Sequence, residues 1–176
     1  MKRIIIGAAM AMAALCCFGK DILDSTPPPM PILSTEISGS DLAFFTGAAS
    51  QMALLARLSE LAKKQAVTPE VQVEAGALEK EQTGAMAQLK TLAIRKHAPA
   101  DAEVDDAGGK LLQALGKLNG VKFDKSFLDA QGDAEDALQA SLEAGAGSSD
   151  ADIKAFAAAG LETLKAERER VRKLGL

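Results

Sequence analysis

The chain has 176 residues and a formal net charge of -4, and it is 48% hydrophobic yet only 3% aromatic, with neither Trp nor Tyr. That length supplies one domain with one core rather than two. The acidic balance excludes a general affinity for nucleic acid or an anionic membrane surface, and the missing Trp and Tyr remove the usual stacking anchors of single-stranded nucleic-acid grooves.

Residues 1–19 read as a secretory signal peptide. Lys2 and Arg3 form its basic start, and Ile4 to Leu15 an apolar run shorter than the ~20 residues that cross a bilayer. Cleavage before Lys20, with Cys17 and Gly19 as the small residues flanking Phe18, removes both cysteines. The alternative is a lipoprotein in which Cys16 or Cys17 becomes the lipidated first residue, although Leu15 is bulky where such signals favour a small side chain. No Cys follows position 17, which excludes a disulfide framework and a thiolate metal site in the mature chain. Residues 20–39 form a Pro-rich tether, since Pro27, Pro28, Pro29 and Pro31 lack amide donors and favour extended backbone.

Residues 40–176 carry helical periodicity throughout, and no alternating strand pattern of useful length occurs. The first helix is predicted from Asp41 to Gln65, capped by Ser40, with Phe44, Ala48, Leu55, Leu58 and Ala62 inward. Thr68 then caps a second helix that opens on Pro69 and carries a seam of Val71, Ala75, Leu78, Gln82, Ala85, Leu89 and Leu92. Arg95, Lys96 and His97 end it with cations, which the helix dipole favours there. A short helix is predicted from Leu111 to Leu118, stopping at Asn119-Gly120.

The third long helix is expected from Phe123 to Ala144, with Phe127, Ala130, Ala134, Leu138 and Ser141 on one side, broken by Gly145-Ala146-Gly147. Ser149-Asp150-Ala151-Asp152 reads as a capping box that launches the last helix, whose seam is Ile153, Ala157, Gly160, Leu164, Glu167, Val171 and Leu174. Gly76, Gly84, Gly132 and Gly160 fall inside predicted helices at about 1 kcal/mol each relative to Ala. The fold expected is all-α: an up-down four-helix bundle, ferritin-like, with one extra short helix.

Asp41-Leu42-Ala43-Phe44-Phe45, Lys122 to Leu128 and Leu161-Glu162-Thr163-Leu164 recur in that order in a known family. From about Asp41 to Leu174 the chain resembles the exported ferritin-like bundles designated domain of unknown function 4142, often described as outer-membrane proteins. The resemblance implies a metal site with a Glu on helix one, an Asp-His pair on each of the next two long helices and a His on the last. This chain departs from it everywhere. Leu55 and Arg57 stand where helix one would offer carboxylates, Glu81-Gln82 replaces one Asp-His, Asp133-Ala134 or Ala134-Glu135 the other, and Ala166-Glu167 the last pair. The chain also has no Glu-x-x-His, the pattern that supplies ligands in di-iron bundles.

Gln82 and Glu167 lie on otherwise apolar seams. They read as a polar pair bonded across the bundle. The alternative is an oxygen-ligand cation site of Glu81, Glu135 and Glu167, suited to Mg or Ca. His97 reads as helix capping, and Glu167-Arg168-Glu169-Arg170 as an exposed, internally paired face. No catalytic residue, cofactor or metal ligand is assigned. The sequence implies a non-catalytic exported envelope or periplasmic protein of interaction or structural role, its partner an unknown envelope protein or cell-wall component. The alternative is a metal-binding or redox-protective ferritin-like protein. A third reading is a carrier of apolar ligands, with small Ala and Gly side chains leaving a cavity between helices.

Overall fold

A computed structural model describes residues 37–101 and 103–174. The expected signal peptide, Cys16 and Cys17, and the tether as far as residue 36 lie outside them. Five helices follow in chain order: α1 (Gly39–Gln65), α2 (Pro69–Arg95), α3 (Asp106–Leu115), α4 (Gly120–Ala146) and α5 (Ala151–Arg172). The architecture is an all-α bundle of four long helices with one extra short helix.

The boundaries differ from the sequence reading wherever a side chain reaches an amide that periodicity cannot see. Ser38, not Ser40, caps α1, because its backbone is extended and its Oγ accepts from the Asp41 N–H at 3.1 Å. Ile37 packs on the core, so the bundle begins inside the expected tether. Asp105 caps α3 by accepting from the Gly108 N–H at 2.7 Å, starting that helix about a turn early, and Leu118 lies beyond its end. Asn119 and Gly120 do not stop α3; they open α4, with Gly120 at φ +65 where the chain turns. Asp150 alone caps α5, accepting from Asp152 N and Ile153 N, so the capping box centred on Ser149 does not form.

Thr68 holds the N-cap position of α2 but makes no side-chain cap bond. The amides of that turn are satisfied from another helix instead. The fully buried Asp124 carboxylate of α4 accepts from Val67 N at 3.1 Å and Thr68 N at 2.9 Å. At the other end of α2, His97 takes the left-handed conformation at φ 54. Its N–H donates to the Ile94 carbonyl and that of Ala98 to Ala93, a Schellman closure in which His97 occupies the place glycine usually fills. Lys96 there bridges to Asp150 and Asp152, tying the end of α2 to the start of α5.

These contacts fix direction. Gly145, near the end of α4, lies against Phe44 near the start of α1, and Arg170 at the end of α5 meets Glu74 near the start of α2. Around the bundle the order is α1–α2–α5–α4, with every neighbouring pair antiparallel. Since α2 and α4 run the same way, residues 96–119 must return the length of the bundle. That crossover contains α3, packs Gly108 against Leu54 of α1, and is tied at its far end by Gln65 of α1 to the Leu118 carbonyl. A single long crossover is the ferritin-like connection.

The core is almost wholly aliphatic, with rings at its two ends. Phe44 meets Phe45 and Phe156 edge-on at centroid distances of 5.2 and 6.1 Å at one end, and Phe123 stacks on Phe127 at the other. Packing is closest where glycine lets helices approach. A Cβ on Gly145 would sit 2.6 Å from the Phe44 ring and one on Gly160 2.9 Å from Leu142. Gly145 therefore stays helical, held against α1, rather than breaking α4 as its sequence context suggests. Of the seams, α1–α2, α1–α4 and α4–α5 pack extensively, whereas α2 and α5 touch far less.

Gly145→Ala is expected to lower stability by about 1–3 kcal/mol through overpacking, measured by chemical denaturation. Gly132→Ala, where nothing lies within 4 Å of the new Cβ, is expected to raise it by about 0.5–1 kcal/mol.

Candidate functional site

Midway between the two aromatic ends the core turns polar, and each long helix contributes. Ser59 comes from α1, Gln82 from α2, Gln131 and Glu135 from α4, and Glu167 from α5, all at most 3% exposed. On α2 the buried seam of Val71, Ala75 and Leu78 steps on to Gln82, and on α5 the seam steps from Leu164 to Glu167, so helical periodicity alone turns both polar side chains inward. Across the open seam Gln82 Nε2 donates to both oxygens of Glu167, at 3.1 and 2.9 Å. Gln131 Nε2 donates to Glu135 at 3.1 Å along α4. Among the described residues, three buried acceptor-capable side-chain atoms have no protein partner: Ser59 Oγ, Gln82 Oε1 and Gln131 Oε1.

Two arginines flank Glu167 on its own helix. Arg170 reaches α2, with Nε on Glu74 at 2.8 Å and a terminal nitrogen on Glu81 at 2.5 Å. Arg168 reaches α4, meeting Asp136 at 2.6 Å, Gln139 at 2.8 Å and Glu135 at 3.4 Å. The segment Glu167 to Arg170 is therefore not the exposed, self-paired face expected from its alternation. Glu167 is buried, both arginines are half-buried and bind neighbouring helices, and only Glu169 pairs locally, with Arg172.

Burial, followed by the negative charges of Glu81 and Glu135, pushes the Glu167 carboxyl up to about 8, against a weaker opposing pull from Arg170. Burial also raises Glu135, opposed by its bonds to Gln131 and Arg168. A carboxyl placed as Glu167 is holds its proton at neutral pH, because an unneutralised charge in that layer is costly.

The residues singled out in the sequence fall into this picture unevenly. Gln82 and Glu167 meet directly, and Glu81 and Glu135 lie close enough to act on Glu167, but each of these two is bound by an arginine. Among the described residues no group of three or more His, Cys, Asp or Glu side chains is placed to hold a metal ion. The site implied by the resemblance thus finds no matching donor set here: Leu55 is buried in the core, Arg57, Asp133 and Ala166 are exposed, and Ala134 is packed in the apolar seam. His97 stands exposed at the end of α2, far along the chain from the polar layer. No described helix is long and apolar enough to cross a membrane.

The open seam between α2 and α5 forms a cleft of about 560 Å³. Its floor is Met52, Leu138, Leu142, Phe156 and Leu164; small residues, among them Gly84, Ala85, Ala159 and Gly160, give it width; Gln82 and Glu167 stand at one end, and Lys80, Glu81, Gln88 and Thr163 also line it. A volume of this size falls within the range of small-molecule pockets. Sequence reasoning missed Leu138, Leu142 and Phe156 as cleft residues because their seam positions look identical to closed core. The available signal was the pairing of small residues, Ala77, Gly84 and Ala85 on α2 with Ala159 and Gly160 on α5, on faces that turn out to oppose each other.

The family described as Domain of unknown function (DUF4142) matches residues 27–174. The chain belongs to this family. Its defining description assigns no activity, and the match covers the whole bundle, including the polar layer and the cleft. No curated protein and no solved structure gives a match.

Glu167 makes stability depend on pH in a defined direction. The folded carboxyl keeps its proton up to about 8, whereas an unperturbed Glu releases it near 4.5. Its contribution is therefore complete below about 4.5 and is lost as pH rises through about 8. Glu167→Gln removes the ionisable group and supplies an amide N–H that can serve Gln82 Oε1. Urea unfolding is expected to show the wild type losing stability between pH 5 and 8.5, the variant losing less, and the variant ahead at pH 8.5 by roughly 2 kcal/mol.

Proposed function

We propose that the protein is a non-catalytic exported component of the cell envelope, whose bundle works by holding a small ligand in the α2–α5 cleft. The cleft of about 560 Å³, with an apolar floor, Gln82 and Glu167 at one end, and Lys80, Gln88 and Thr163 also on its lining, carries this reading. It favours the carrier form of an interaction role over a purely structural one, because a structural bundle gains stability by closing its fourth seam as it closes the other three.

Support for the rest comes from chemistry already described. The basic-then-apolar start of the sequence supports export, and the prolines before the bundle support a tethered domain. The carboxylates nearest the polar end of the cleft are engaged in holding helices together, Glu81 by Arg170 and Glu135 by Arg168, which favours binding over turnover. A metal-binding or redox-protective role has weaker support, since an amide that donates to a carboxyl, Gln82 to Glu167, stands where the resemblance places histidines.

An uncharged, solvent-sensitive naphthalene dye tests the reading on protein recovered from the envelope of cells expressing the full chain. One dye per chain is expected, and Gly84→Leu, which builds a side chain at a cleft position with nothing within 4 Å, is expected to weaken binding at least tenfold while leaving the melt intact. No binding, or binding indifferent to that substitution, contradicts the cleft as the working surface.

A further inference from the structure

We propose that the α2–α5 cleft selects a small amphiphile with a protonated amine head, the head seated against Glu167 and Gln82 Oε1 and the apolar body against Met52, Leu138, Leu142 and Phe156. The proposal rests on the reading of the cleft as a ligand site and adds the chemistry of its occupant.

Hydrogen-bond accounting at the polar end is the first support. Gln82 and Glu167 line the cleft and are 3% and 1% exposed. The two oxygens of Glu167 share one protein donor group of the neighbouring helix, the Gln82 amide nitrogen, and Gln82 Oε1 has none. Once Glu167 gives up its proton, the end of the cleft is rich in acceptors and short of donors. A buried acceptor left unpaired is costly, so an occupant that brings donors is favoured there. An ammonium carries three donors and no acceptor, which suits this end better than a hydroxyl and far better than a carboxylate.

Charge points the same way, element by element. From α2 the groups facing Glu167 are Glu74 and Glu81, with the exposed Lys80 also at the cleft; from α4 they are Glu135 and Asp136; from α5 itself, Arg168 and Arg170; α1 contributes the apolar Met52. Arg170 is divided between Glu74 and Glu81, and Arg168 between Glu135 and Asp136, so neither is free to neutralise Glu167. Counting Glu167, five carboxyl groups are set against two arginines and the exposed Lys80, so the layer is short of cations. Burial and the carboxylates of Glu81 and Glu135 hold the Glu167 proton in its place. An incoming ammonium replaces that proton: the head keeps its own three hydrogens, Glu167 ionises to pair with it, and the displaced proton passes to solvent.

The apolar walls then account for the body of the ligand. Met52, Leu138, Leu142, Phe156 and Leu164 offer aliphatic and ring surface without charge. Sulfur and a ring edge adapt to varied apolar shapes, which fits a chain or compact hydrocarbon better than a polar metabolite.

Calorimetric titration of the full-chain mature protein with octylamine, octanol and octanoate at pH 7 tests the inference. The expected order is octylamine at least tenfold tighter than octanol, with octanoate weakest. The octylamine heat should also vary with the ionisation enthalpy of the buffer, reporting release of close to one proton, and that dependence should vanish at pH 9.5, where Glu167 is already ionised. Glu167→Gln is expected to bring the three affinities within about threefold of one another. If octanol equals or exceeds octylamine, or no proton is released, the amine preference is wrong while the cleft survives as an apolar site. If none of the three binds, the cleft reading falls together with it.

Discussion

A buried carboxyl group held by one amide and crowded by two further carboxylates is the constraint around which this bundle is arranged. The amide of Gln82 holds Glu167 across the one seam that the helices leave open. Three seams close by ordinary means, with aliphatic side chains interlocking and glycines at 145 and 160 letting helices approach. At the fourth, hydrophobic contact is replaced by a polar pair at one level and a cleft at the next. A polar pair of this kind fixes the register of α5 against α2 at some cost in stability, as seam polar residues do in coiled coils. It also forces the surrounding charges into position. Arg168 and Arg170 leave the surface to reach α4 and α2, and in doing so consume the cations that would otherwise neutralise Glu167.

Much of the fold was legible in the sequence, for reasons that particular residues make clear. The inward stripes of α1 and α2 follow from 3.6-residue periodicity, and every inward position named for α1 is buried. Proline at position 69 marked the start of α2 correctly because its missing N–H costs nothing at a first helical turn. What periodicity cannot see is a contact made over long sequence separation. Asp124 caps the turn before α2 from a helix more than fifty residues on, so Thr68 was credited with a bond that it does not make. Gly145 looked like a helix breaker, yet the Phe44 ring holds it helical. The return of the chain between α2 and α4 was likewise hidden, because the direction of α4 depends on which neighbour it packs against.

The candidate site divides along the same line. Gln82 and Glu167 stood out as polar interruptions of apolar seams, and the structure brings them together. Other buried polar residues did not stand out: Gln131, Ser59 and Asp124 lie in stretches that read equally well as exposed faces. Membership of the DUF4142 family places the bundle among relatives of undescribed activity. Where the ligand pattern implied by the resemblance would place histidines, this chain has an amide and a carboxyl in a buried polar layer. An oxygen-rich, proton-holding layer beside the cleft is suited to receiving a donor, and burial together with the neighbouring carboxylates underlies both the raised affinity of Glu167 for its proton and the inferred preference for an amine.

The ionisation of Glu167 itself is the most direct point of contact with experiment. Carbon-13 NMR of protein labelled at the Glu side-chain carboxyl, with the Glu167 resonance identified by its loss in Glu167→Gln, follows that group alone across pH. A midpoint near 8 is expected. A midpoint near 4.5, the value of an ordinary glutamate, would mean that the layer already neutralises Glu167, and the shortage of cations on which the site depends would not exist.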